Sequence, residues 1–184
     1  MNRTCLQIAF ITGRSRPGHC ALSPVQRMFL ERLAAQDRRL LTVNFPWAAE
    51  IAPFAATGIL WASLNNARDY LGSRRAQFTH RYQESAMNIV QAADHTLFLA
   101  GSCGLELFNN LQLPAAILSR VSLLAYGPVA RQRPHCRHLL VQGRQDLISR
   151  YWFREPDIQI CSGHMSYLEH PELPEICQHF IRTV

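Results

Sequence analysis

The sequence predicts an α/β protein built on a doubly wound, mostly parallel sheet, with helices on both faces in a three-layer α/β/α arrangement. Short apolar runs of strand length alternate with helix-like segments along most of the 184 residues. The residues with chemical potential fall just after those apolar runs, where open α/β sheets present their ligands. No internal repeat or low-complexity stretch competes with this reading.

Residues 6–12 form an apolar run bounded by Gly13, as expected of a buried first strand. Ser23 followed by Pro24 places a capping residue ahead of a proline at the first helical position, and residues 25–35 carry a helical pattern. A second strand at 40–45 is closed by Pro46. Residues 47–77 form an uneven insertion bearing Trp47, Phe54, Trp61 and Tyr70, interrupted by Pro53 and Gly58. A helix is expected at about 60–71, and the insertion either caps a site as a lid or packs on the sheet edge. A helix at 78–93 leads into a strand at 96–100. Beyond a tight corner, a further helix starts at Leu105. Strands follow at about 121–125, 138–142 and 157–161, and a helix at about 173–182 closes the chain. The arginine-rich link at 126–137 is short, so the usual crossover helix is expected to be missing or vestigial.

Hydrophobic residues make up 48% of the chain and charged residues 17%, the balance of a soluble globular protein; the length fits one domain over 1–184. No apolar run is long enough to span a bilayer. The N-terminal run leads into Gly13-Arg14-Ser15-Arg16 without a small-residue cleavage site, so a buried strand rather than a leader is expected. The net charge is +6, and all 19 basic residues are arginine. The lack of lysine excludes Schiff-base, pyridoxal-phosphate and P-loop chemistry. The arginines are scattered, with no recognition helix or aromatic platform, so no nucleic-acid partner is expected. They would favour an anionic substrate electrostatically. Six cysteines show no CxxC and no metal-ligand pairing, which implies free thiols, a cytoplasmic setting and no metal.

The corner Ala100-Gly101-Ser102-Cys103-Gly104 joins a strand to a helix through small residues two before and two after a serine. Such a strained turn lifts a hydroxyl clear of a parallel sheet. Cys103 is the rival nucleophile, but an elbow centred on it would put Leu105 at a position that must be small. Further along, Gly143-Arg144-Gln145-Asp146 puts a carboxylate on the loop after a strand, where it either orients an imidazole or caps a helix. Ser162-Gly163-His164 then brings a histidine to the end of the last strand. Serine, aspartate, histidine is the chain order of a nucleophile-elbow hydrolase.

On these residues the chain resembles the α/β-hydrolase superfamily, through segments 96–107, 139–149 and 158–172. The resemblance implies a reduced α/β-hydrolase fold with Ser102 as nucleophile, Asp146 as acid and His164 as base. Phe10-Ile11-Thr12-Gly13-Arg14 matches the family's His-Gly-x loop, which implies oxyanion-hole N–H groups from Arg14 and Cys103. Three departures stand out: Thr12 occupies the histidine position, Ala100 replaces the first elbow glycine, and the chain is expected to open on the strand before this loop, without the first two strands of the full fold. Gly13, Trp47, Trp61 and Tyr126 are the expected pocket residues. The expected activity is hydrolysis of a carboxylic ester or thioester of a small or medium acyl substrate, with no cofactor. The alternative is a catalytically silent hydrolase-fold binding or regulatory protein. A dinucleotide site at Gly13–Gly18 fits poorly, because Pro17 removes an N–H donor.

Overall fold

The computed structural model describes residues 5–18, 20–47 and 56–183. Its strands are β1 (Leu6–Thr12), β2 (Arg38–Phe45), β3 (His95–Gly101), β4 (Val121–Tyr126), β5 (Arg137–Gly143) and β6 (Ile158–Ile160). They form one six-stranded sheet in the order β2-β1-β3-β4-β5-β6. Every strand pairing is parallel, whereas the sequence predicted a mostly parallel sheet. The one antiparallel contact among the described residues is an isolated bridge between Ala21 and Val43. Helices α1 (Pro24–Glu31), α2 (Ile59–Ser73), α3 (Ala76–Gln91), α4 (Gly104–Asn110), α5 (Ala115–Leu118), α6 (Leu147–Trp152) and α7 (Glu172–Ile181) flank the sheet. A 3-10 turn at Tyr167–Glu169 precedes α7.

The central strands are mostly apolar and buried along nearly their whole length because both faces are covered, the pattern of a parallel sheet; Gln7, Thr96 and Ser122 are the buried polar exceptions. In β1, Ile8 and Phe10 face a cluster with Phe29 and Leu30 of α1 and Leu173 and Cys177 of α7. Ala9 and Ile11 point the other way, toward Phe78, Ala86 and Val90 of α3 and Leu105 and Phe108 of α4. β3 repeats the alternation, with Leu97 and Leu99 on the first face and Phe98 and Ala100 on the second. Each fully buried Ile, Leu or Phe among them stabilises the fold by roughly 1.5–3 kcal/mol before entropy is counted.

Local chemistry sets the helix boundaries. The Ser23 side chain accepts from the Gln26 N–H, and the Gln26 side chain accepts from the Ser23 N–H, a reciprocal cap on α1. The helix stops at Glu31, short of the expected residue 35, although Leu33 continues the apolar face. As the spacing predicted, no helix lies between β4 and β5 among the described residues. That link is instead pinned at Arg131, whose N–H and Nε both donate to the buried Glu106 of α4. Residues 48–55 of the lid-like insertion lie outside the described residues. Its helix, α2, is tied down at three points: Asp69 to Arg14, Asn65 to the Ser15 carbonyl, and Ser73 to Asn110. No helix among the described residues is long and apolar enough to cross a membrane.

Candidate active site

β3 runs into α4 through Ser102, whose φ of 51° lies in the left-handed region that L-residues avoid. Packing holds it there. A Cβ on Gly104 would collide with the Ile11 carbonyl of β1, so only glycine lets α4 start this close to the sheet. The Ser102 N–H donates to the Tyr126 carbonyl at 3.2 Å, and its own carbonyl accepts from Val129 at 3.0 Å. The strained turn is thereby fixed from both sides.

The structure brings the three sequence-predicted residues together. Ser102 Oγ lies 3.1 Å from His164 Nε2, and His164 Nδ1 lies 2.9 Å from Asp146 Oδ2. A carboxylate only accepts, so the imidazole carries its proton on Nδ1 and turns a lone pair toward Ser102. Asp146 fills both roles weighed from its sequence context. Its Oδ1 accepts from the Ile148 and Ser149 N–H groups, capping α6, while Oδ2 holds the imidazole. Burial opposes its ionisation. The hydrogen bonds from His164, Tyr167 and Ser149 outweigh that and hold the carboxyl well below the usual carboxylate range.

Tyr167 is the member that sequence reasoning missed. Its hydroxyl donates to Asp146 Oδ2 at 2.7 Å and accepts from the Gly143 N–H at 2.6 Å. It is almost wholly buried at the base of the 3-10 turn. Burial, reinforced by the Asp146 carboxylate, raises its pKa and keeps it a neutral donor. Nothing in its spacing from His164 announces that role.

These groups open onto a cavity of about 730 Å³, lined among others by Gly13, Ser102, Tyr126 and His164. Two expected pocket residues lie elsewhere. Trp47 is buried in the core against Phe78 and Tyr82, its indole N–H bonded to the Thr12 carbonyl at 3.0 Å. Trp61 stands on the outer side of α2, 64% exposed and away from the cavity. The Arg14 N–H also departs from expectation, since it donates to Asp69 Oδ2 at 2.7 Å. The Arg14 guanidinium pairs with the same carboxylate and stacks 3.8 Å above the Trp47 ring. Cys103 is buried, and its thiol is pushed up to about 12, first by burial and then by the Asp69 carboxylate. A thiol so raised is a poor nucleophile. Among the described residues no group of His, Cys, Asp and Glu is arranged to hold a metal ion.

No protein-family model and no curated protein matches the sequence. Solved structures do match the fold. A lidless α/β serine hydrolase of Xanthomonas campestris is 18% identical with a TM-score of 0.53, the alignment covering all of this chain and 85% of that one. The chain has the α/β-hydrolase fold. A second X. campestris protein, assigned to the hydrolases of this superfamily, is 17% identical with a TM-score of 0.51, and both chains are fully covered. An uncharacterised protein of Bacillus cereus is 11% identical with a TM-score of 0.53, over all of this chain and 60% of that one. In this fold the candidate residues stand where ligands meet a parallel sheet, beyond the carboxyl ends of β3, β5 and β6.

Proposed function

We propose that the protein is a serine hydrolase of carboxylic esters or thioesters carrying a small or medium acyl group. The observation that carries this reading is the hydrogen-bonded chain Ser102–His164–Asp146, with the serine in a left-handed turn at the cavity wall. In this reading His164 takes the Ser102 proton as Oγ attacks the acyl carbon, and Asp146 holds the tautomer and stabilises the imidazolium. The leaving alcohol or thiol takes that proton from His164. Water, activated by the same imidazole, then releases the acid and restores Ser102. The Cys103 N–H, next in chain after the nucleophile, is one oxyanion donor. We assign Ser102 rather than Cys103 as nucleophile because the buried thiol stays protonated. A neutral acyl group fits better than an anionic one, since the Arg14 guanidinium is already paired with Asp69 and Glu169 also lines the cavity.

The observation that favours a silent binding protein is the capture of the Arg14 N–H by Asp69. Labelling with a fluorophosphonate, followed by mass spectrometry, separates the two readings. The hydrolase reading expects an adduct on Ser102 and loss of p-nitrophenyl ester turnover in Ser102→Ala. Equal turnover by that variant and wild type, or no adduct, would reject it.

A further inference from the structure

The loop after β1 offers no N–H of Arg14 to an oxyanion, because Asp69 Oδ2 already accepts it. An oxyanion on Ser102 would then meet the Cys103 N–H, whereas acyl-transfer sites work through at least two converging donors. Asn66 stands on the side left open. A methyl group on Gly13 would touch both the Asn66 carboxamide and the Cys103 sulfur, so these two side chains meet at one point beside the elbow. Asn66 Oδ1 is buried there without a hydrogen-bond partner among the described residues, and Asn66 lines the cavity. With the oxygen turned toward Gly13 and Cys103 and shut away from solvent, the amide NH2 is the group left to serve the cavity. The turn of α2 that carries it is held rigidly, by Asn65 on the Ser15 carbonyl at 2.8 Å and by Asp69 on Arg14. A donor fixed in advance by such contacts costs no reorganisation when charge develops.

We propose that Asn66 Nδ2 is the second oxyanion donor, a catalytic side chain that replaces the loop N–H taken by Asp69. The proposal rests on the hydrolase reading above. As the Ser102 Oγ–acyl bond forms, the carbonyl electron pair moves onto oxygen, and the Ser102 proton passes to His164 Nε2. The oxyanion accepts from the Cys103 N–H and Asn66 Nδ2. When it collapses, the pair returns to the carbonyl, and the alcohol or thiol leaves with the proton from His164. The Arg14–Asp69 pair acquires a purpose in this scheme, for it gives up one donor and anchors the helix that supplies another.

The test measures kcat and KM for p-nitrophenyl butyrate in Asn66→Ala and in the near-isosteric Asn66→Asp, with thermal melting of each. Fluorophosphonate labelling of the wild type runs alongside. Removing one donor is expected to lower kcat by roughly 10²- to 10³-fold in both variants, with KM changed by less than about threefold. Melting of both variants is followed so that kcat is compared below the transition of each, the aspartate variant being expected to melt earlier because its carboxylate is partly buried without a partner. The aspartate variant matters because it accepts but does not donate; wild-type turnover in it would mean that the amide oxygen faces the substrate, and the proposal falls. It falls equally if the alanine variant keeps kcat within about threefold, or loses only KM. A wild type that takes no label and hydrolyses nothing would instead remove the hydrolase reading itself.

Discussion

Replacing Tyr167 by phenylalanine isolates one oxygen that serves two partners. Tyr167→Phe deletes a hydrogen bond to the Asp146 carboxylate and leaves the Gly143 N–H buried without its acceptor. A hydrogen bond to a charged group is worth about 1.5–3 kcal/mol, and a buried orphan donor costs about 1–3 kcal/mol. The two share one oxygen and do not add fully, so a loss of about 2–4 kcal/mol is expected. At roughly 2–4 °C per kcal/mol for a chain of this size, Tm falls by about 5–15 °C. The pH dependence gives a second check. Asp146 is depressed below its ordinary value of 3.8 in the folded protein, so its charged form adds stability that is complete above that value and fades as pH falls through the folded one. Loss of the tyrosine donor raises the folded value. The deficit of the variant is therefore constant near neutrality and narrows in acid, as both proteins lose the carboxylate's contribution. Circular-dichroism melts across the acid range read both effects. A Tm within about 2 °C of wild type near pH 7, or a deficit that widens in acid, would refute the reasoning.

Two further outcomes follow from the elbow. Because Ser102 sits at φ 51°, Ser102→Gly should be more stable than Ser102→Ala by about 1 kcal/mol in denaturant titration; equal midpoints would remove the strain argument. Iodoacetamide at mildly alkaline pH should alkylate the exposed Cys161 and leave the buried Cys103, with its thiol raised to about 12, unmodified; peptide mapping that finds Cys103 modified first would reverse that ranking.

Much of this arrangement is written in short-range patterns. Ser102, Asp146 and His164 each follow a strand and a small residue, and a parallel sheet gathers such loops at one end whatever the intervening chain does. The alternation of apolar runs marks the central strands along the chain, while their order in the sheet is seen only in the fold. What stayed hidden depends on distant partners. Nothing near Arg14 announces that Asp69, on a helix far along the chain, will take its N–H. Trp47 follows Pro46 and resembles a lid aromatic, yet its indole reaches back to Thr12 and joins the core. Tyr167 works across a loop on Asp146, a contact without periodicity. The short helix α6 is signalled in the sequence only by Asp146 as a capping residue, for Leu147, Ile148 and Tyr151 are all exposed and form no apolar stripe facing inward.

The two rims of the sheet bear on how molecules of this protein meet each other. An open parallel sheet leaves unpaired amide and carbonyl groups along its outermost strands, which can template pairing between chains. Here β6 spans only Ile158–Ile160, too little backbone to recruit a neighbour's strand firmly. The longer rim at β2 begins with two arginines, and Ala21 bridges Val43 while the Cys20 carbonyl accepts from the Asn44 N–H. The exposed Arg39 puts charge near the start of that rim, and the chain's own loop plugs another part. Crowded molecules are left with little exposed ladder through which to zip together.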